Sequence, residues 1–203
     1  MEIRNVTATA ETFTSNVYLV PEPVPTLIDA GAMSGIVDAI TDSVSTIDRV
    51  LLTHQHGDHI GELDAIVSAF DPEIYAYDEI DARTNEIEDG DLVSIGGEPF
   101  EVVYTPGHAG DHVCYLGENV LFSGDVVVHD DGAFEGGSFG RTDLAGQSRE
   151  RLIESIEALL DRMGPDVSEL YAGHGSTFTG DVHQIIETAL ERAKRREPKY
   201  TEQ

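Results

Sequence analysis

The sequence predicts an α/β fold on parallel or mixed sheets, and three features predict it. Short apolar runs rich in Val, Ile, Leu and Tyr, bounded by turn residues, alternate with longer stretches of helical period. Residues of metal-binding type follow directly after several apolar runs, and in open α/β sheets the strand ends carry the sites. No Pro/Gly/Ser-rich linker or composition break divides the 203 residues, so one domain over residues 1–203 is expected.

Strands are expected at residues 2–9, 16–20, 26–29, 49–53, 73–77, 100–105, 112–116, 120–123 and 168–172. Helical patterns fit residues 34–44, 59–70, 148–163 and 181–196, the last two with apolar residues three and four apart. Asp58 and Asp181 stand where they would cap the second and fourth helices. The cluster Arg192, Lys194, Arg195 and Arg196 ends the last helix, where cations complement the helix dipole. Residues 129–146, "HDDGAFEGGSFGRTDLAG", hold too many glycines and too little period for a regular element, and long loops of this kind are commonly functional.

Asp and Glu total 39 against 12 Lys and Arg, a formal net charge of −27 spread along the chain, with only Lys194 and Lys199 as lysines. Such a surface repels phosphate backbones, which argues against nucleic acid, and it resembles the composition of proteins from salt-accumulating halophiles. No apolar run approaches the roughly 18 residues of a membrane span, and the N-terminus lacks the pattern of a secretory signal. A cytoplasmic location with no membrane partner is therefore expected. Cys114 is the only cysteine, so neither an internal disulfide nor a thiolate zinc cluster can form, and its setting in "HVCYL" suggests a buried small hydrophobe.

The stretch "THQHGDH" places His54, His56, Asp58 and His59 directly after an apolar run. A spacing of two puts His54 and His56 on one face of an extended segment, whereas Asp58 and His59 open the following helix. Three further apolar runs end the same way, delivering His108, Asp125 and His174. Imidazole and carboxylate together suit zinc or iron, and seven such ligands exceed what one tetrahedral ion uses. Two ions about 3.5–4 Å apart, sharing a carboxylate, would use them all. His129 and His183 stand alone and are expected to be ordinary structural histidines.

"THQHGDH" resembles the T-H-x-H-x-D-H signature of the metallo-β-lactamase superfamily, "TPGH" its next histidine motif, "FSGD" its bridging aspartate and "AGH" its last ligand. The four motifs occur in the family's order across nearly the whole chain. The resemblance implies a four-layer αββα sandwich with two metal ions, zinc in the first instance, with iron or a mixed pair as alternatives. It implies His54, His56 and His108 on the first ion, Asp58, His59 and His174 on the second, and Asp125 bridging.

Within the superfamily, Asp125 stands where lactam-hydrolysing members usually carry Cys or Ser, and His56 where flavodiiron proteins usually have Glu. The nuclease branches generally add an inserted domain or arm for which this chain has no room. "TPGHAGDHVCYL" is similar to the glyoxalase II motif T-P-G-H-T-x-G-H-x-C-Y, with His112 at its extra histidine, and "GSFGRTDLAG" is similar to a G-R-T-D loop shared by short glyoxalase II-like proteins and persulfide dioxygenases. Little more than one helix follows His174, so a counterpart of the C-terminal helical domain that grips glutathione in full-length glyoxalase II is not expected. The resemblance implies hydrolysis of a small-molecule hydroxyacyl thioester by a hydroxide held between two cations, with Asp58 and Asp125 orienting it and Arg141 contacting the thiol carrier. The alternative is a mononuclear iron persulfide dioxygenase with His54, His108 and Asp125 as its triad. A non-catalytic binding module is disfavoured because every ligand is retained.

Overall fold

A computed structural model describes residues 1–197, and the chain divides into two compact units, Met1–Val102 and Val103–Gln203. In the first unit the order is β1 (Arg4–Asn5), β2 (Tyr18–Val20), β3 (Thr26–Ile28), α1 (Ile36–Thr41), β4 (Arg49–Leu51), α2 (Gly57–Ile60), α3 (Leu63–Phe70), β5 (Glu73–Ala76), β6 (Asn85–Glu86), β7 (Leu92–Ile95) and β8 (Glu98–Tyr104). The last two residues of β8 open the second unit, which continues with β9 (Val113–Leu116), β10 (Val120–Gly124), β11 (Val127–Val128), β12 (Ser138–Phe139), α4 (Arg149–Arg162), β13 (Glu169–Ala172), β14 (Phe178–Thr179) and α5 (Val182–Lys194).

The first unit's sheet is ordered β1-β2-β3-β4-β5-β6. β3, β4, β5 and β6 run parallel, with Leu27 opposite Val50 and Val50 opposite Ile74. Parallel strands are covered on both faces, and Leu27, Val50 and Ile74 are accordingly buried in one cluster with Ile36, Ile40, Leu63 and Ile66. β3 and β4 therefore end side by side, which brings Asp29 and Thr53 together just past the sheet.

In the second unit β10 lies between β9, antiparallel, and β13, parallel, and all five of its residues are buried. A central strand reads as unbroken apolar sequence, which is why "VLFSG" shows no alternation. α4 and α5 pack on this layer through Leu152, Ile156 and Leu159 and through Val182, Ile186, Ala189 and Ala193. Ser148 caps α4 by accepting from Arg151 N at 3.2 Å, and Asp181 caps α5 by accepting from Gln184 N at 3.0 Å, as expected of Asp181.

Several expectations need correction. The strand expected over residues 2–9 stops at Asn5, because the Asn5 side chain accepts from both the Thr7 amide and the Thr7 hydroxyl and turns the chain. The single helix expected over residues 59–70 is two, α2 and α3. The His59 carbonyl, which would continue a helix, instead accepts from Ala30 N at 2.8 Å and Gly31 N at 2.9 Å. Asp58 is not the helix cap: His56 occupies that position without a side-chain cap, and Asp58 lies inside the first turn. The glycine-rich loop is not wholly irregular, since Ser138 and Phe139 pair with Val128 and Val127. The terminal basic cluster does lie at the end of α5, with Arg192 and Lys194 in its last turn, and it also binds its surroundings: Arg192 donates to the Glu135 and Gly137 carbonyls, Lys194 pairs with Glu157 at 2.5 Å, and Arg196 pairs with Glu150.

Candidate metal centre

In the first unit the site grows from one carboxylate. Asp29 follows β3 with φ of +64° and is 2% exposed. Its Oδ1 accepts from Thr53 N at 2.7 Å, and its Oδ2 accepts from the Thr53 hydroxyl at 2.8 Å and from His59 Nδ1 at 2.8 Å. A carboxylate only accepts, so His59 carries its proton on Nδ1 and its lone pair on Nε2. The Thr53 hydroxyl has given its one hydrogen to Asp29, so at its 3.1 Å contact with His54 Nδ1 it accepts. His54 is therefore also the Nδ1–H tautomer. One carboxylate sets the ligating face of two histidines, the arrangement that metal-binding histidines require.

His54 Nε2 lies 3.0 Å from His56 Nδ1. Two nitrogens at 2.0–2.1 Å from a tetrahedral ion sit about 3.3 Å apart, so this pair fits a shared cation. The ligand atoms of His54 and His59, and of Asp58 and His59, likewise approach within 4.8 Å.

In the second unit His108 follows β8 through Pro106 and Gly107. Gly107 has φ of +139°, and the backbone of Leu152 occupies the place where a Cβ would project. His108 Nδ1 donates to the Arg141 carbonyl at 2.9 Å, which again leaves the lone pair on Nε2. That Nε2 lies 3.3 Å from Asp125 Oδ2, and His174 Nε2 lies 3.5 Å from the same oxygen. One carboxylate oxygen thus serves two imidazole nitrogens. Gly140 makes this closeness possible: a Cβ there would meet the Asp125 carbonyl and sit 2.9 Å from the His108 ring.

Of the residues expected at the site, His54, His56, Asp58 and His59 come together in the first unit, and His108, Asp125 and His174 in the second. Both groups offer the nitrogen and oxygen donors that zinc or iron takes. His112 is not a ligand, because its Nε2 accepts from Asp125 N at 2.9 Å. Arg141 touches the site through its carbonyl, while its guanidinium forms a two-point pair with Asp143 at 2.7 and 3.0 Å and holds that carboxyl below its usual range. His129 contacts Ser176 Oγ and stacks on Phe178, and His183 contacts the Gly164 carbonyl, so both are structural. Sequence reasoning missed Asp29. Its signal was present: "TLIDAG" is an apolar run ending in a carboxylate, the layout that singled out the other ligands.

Residues 10–91 and 81–174 match the sequence profile of the Metallo-beta-lactamase superfamily. The chain belongs to that superfamily. It is 33% identical over 193 residues to the Lactamase-like protein nscB of Neosartorya fischeri, a match covering 90% of this chain and 54% of that protein. It is 31% identical over 155 residues to a Hydroxyacylglutathione hydrolase of Aliivibrio fischeri, covering 74% of this chain and 57% of that one. The chain thus spans little more than half the length of these curated relatives. Among solved structures it resembles ETHE1 from Myxococcus xanthus, with a TM-score of 0.74, 22% identity and coverage of 97% and 92% of the two chains. It also resembles BLEG-1 B3 metallo-beta-lactamase, with a TM-score of 0.68, 26% identity and coverage of 88% and 94%. For TTHA1623 in a di-iron-bound form the TM-score is 0.65, the identity 27% and the coverage 91% and 94%. This superfamily member therefore has the metallo-β-lactamase α/β fold of mixed sheets and helices and is glyoxalase II-like. Among the described residues, no helix is long and apolar enough to cross a membrane.

Proposed function

We propose that this chain is a cytoplasmic metallo-hydrolase that cleaves a hydroxyacyl thioester of a small thiol. In this reading His54, His56 and His108 hold one cation, Asp58, His59 and His174 a second, and Asp125 is shared between them. The observation that carries it is Asp125 Oδ2, which stands 3.3 Å from His108 Nε2 and 3.5 Å from His174 Nε2. An oxygen so placed is suited to two ions, whereas a mononuclear triad would leave His174 without a role. Similarity to hydroxyacylglutathione hydrolases over 74% of the chain supports the thioester as substrate.

Two bound cations, zinc or iron, would lower the pKa of a coordinated water to about 7 and polarise the thioester carbonyl. The chain's own part is positional. Asp29, Thr53 and the Arg141 carbonyl hold His54, His59 and His108 with their Nε2 lone pairs outward, so no tautomer change accompanies ligation. Asp58 and Asp125 orient the attacking water. The Arg141 side chain is 40% exposed and Asp143 59%, so their pair contributes little stability and yields readily to an anionic group on the thiol carrier.

Metal analysis of protein purified without added metal, followed by thiol-release assays with a lactoyl thioester, tests the reading. About two ions per chain and free thiol released without oxygen uptake are expected. No β-lactam turnover is expected, given Asp125. A single tightly held iron with no second site under saturating zinc, together with oxygen uptake on a persulfide and no thioester turnover, would replace it with the dioxygenase.

A further inference from the structure

Beneath the Asp125 turn runs a chain of buried side chains that the proposed mechanism does not use. The Asp125 amide donates to His112 Nε2 at 2.9 Å, so that nitrogen carries no proton. His112 is therefore the Nδ1–H tautomer and donates to Thr105 Oγ1 at 2.8 Å. Thr105 Oγ1 lies 3.4 Å from Cys114 Sγ, and Cys114 Sγ donates to the Ser123 carbonyl at 3.5 Å. With the thiol hydrogen spent on Ser123, the threonine hydroxyl is the donor to sulfur. Every donor thus points the same way, from the Asp125 N–H through His112, Thr105 and Cys114 to the Ser123 C=O.

The two ends of this path are the backbone groups on either side of Gly124, whose φ is +48°. Thr105, His112, Cys114 and Ser123 are all 0% exposed, so water does not substitute for any link. Ser123 Oγ donates onward to the Val127 carbonyl at 2.7 Å, which ties the far side of the same turn. Without the His112 acceptor the Asp125 amide would be an unmet donor in a dry interior, and the glycine turn would be free to relax towards another partner.

We propose that His112 is a positioning residue: as a neutral hydrogen-bond acceptor for the Asp125 amide it clamps the turn at residues 123–125 and so fixes the Asp125 carboxylate between His108 and His174. Thr105 and Cys114 serve it by fixing the ring's tautomer and closing the path on Ser123. The role rests on the reading of Asp125 as a shared metal ligand, but it is a claim about cation binding and needs no substrate. His112 contributes no ligand atom of its own, because its Nε2 is engaged by the backbone.

The test titrates metal-free full-length protein with Zn²⁺ against a chromophoric chelator, with circular dichroism to verify folding. His112→Phe, which fills the space but cannot accept, is expected to bind zinc about 10- to 100-fold more weakly, the usual range for residues that support metal ligands. His112→Gln, whose Oε1 can take the place of Nε2, is expected to recover most of that loss. Should His112→Phe fail to fold, Thr105→Val decides instead: it removes the tautomer-setting partner two bonds from Asp125 and is expected to weaken zinc in the same direction. Folded His112→Phe or Thr105→Val with wild-type zinc affinity would overturn the proposal, as would a His112→Gln variant as defective as the Phe variant. Wild-type protein that binds two zinc ions but cleaves no thioester would sink the proposed function while leaving this test intact.

Discussion

Replacing Asp29 by Asn removes one acceptor oxygen and changes almost nothing else. The two side chains are isosteric, and Asn tolerates the left-handed conformation that Asp29 holds at φ of +64°. In the wild type both carboxylate oxygens accept, from Thr53 N at 2.7 Å and from the Thr53 hydroxyl and His59 Nδ1 at 2.8 Å each. An amide NH2 at either position confronts donors. Placed against Thr53 N it meets a peptide hydrogen that cannot move, so it will turn towards His59 and the hydroxyl, whose protons can. His59 then shifts its proton to Nε2, the nitrogen assigned to the metal. Restoring the ligating tautomer sacrifices one buried hydrogen bond, about 1–3 kcal/mol. At 1.4 kcal/mol per tenfold this weakens the cation about 5- to 150-fold. Zinc titration of metal-free Asp29→Asn against a chelator measures it directly, with a circular dichroism spectrum to confirm the fold. A folded Asn variant with unchanged zinc affinity would refute the argument that Asp29 sets the histidine tautomers.

Four other outcomes follow from the same structure. Arg141→Ala should raise KM about tenfold or more with kcat nearly unchanged, because its side chain is assigned to uniform binding of the thiol carrier while its ligand-fixing carbonyl survives; a fall in kcat at constant KM would contradict this. Burial pushes the Cys114 thiol up from 9.0 to about 12, so it should resist thiol reagents at pH 8 in the native state, and labelling at the rate of a free thiol would count against the packing. Because that folded value is raised, the thiol's contribution to stability is complete below pH 9 and is lost as pH rises towards 12, so Cys114→Ala should flatten the alkaline limb of the melting profile. The net charge of −27 should make the thermal midpoint rise with potassium chloride, mostly below about 1 M as the screening length falls from about 10 to about 3 Å; a flat or falling midpoint would mean that the acidic surface is no adaptation to salt.

Elements whose pattern is decided by burial were legible. β3, β4, β5, β8, β9, β10 and β13, together with α4 and α5, fall where apolar period placed them, because their side chains meet the core cluster of their own unit. The short strands β6, β11, β12 and β14 were not legible, being two residues each, which is too few to show a period. β7 escaped notice although "LVSI" alternates buried and exposed, since Leu92 is an apolar residue on the exposed face and blurs the alternation. The break between α2 and α3 was beyond reach for another reason. Nothing in "GDHIGELDAIV" excludes a continuous helix as firmly as the capture of the His59 carbonyl by Ala30 and Gly31, and those partners are some thirty residues away in the chain.

The candidate ligands and their supports differ in the same way. A ligand must end a strand and face outward, so His54, His108, Asp125 and His174 announce themselves by position. A support acts only through the contact it makes: Asp29 through His59, His112 through the Asp125 amide, the Arg141 backbone through His108. Asp29 could still have been found, since it too ends a strand, but its role could not, because role depends on which nitrogen of His59 it reaches. His112 opens an expected strand and matches the extra histidine of the glyoxalase II motif, but the role proposed for it emerges only when the direction of each hydrogen bond is followed to Ser123. The candidate ligand set is therefore a property of the sequence pattern, whereas the tautomers that would leave those donors' lone pairs free for a cation are a property of the fold. Substitutions that keep every candidate ligand but disturb Asp29, Thr53, Thr105 or His112 should accordingly damage cation binding although every candidate donor atom is retained.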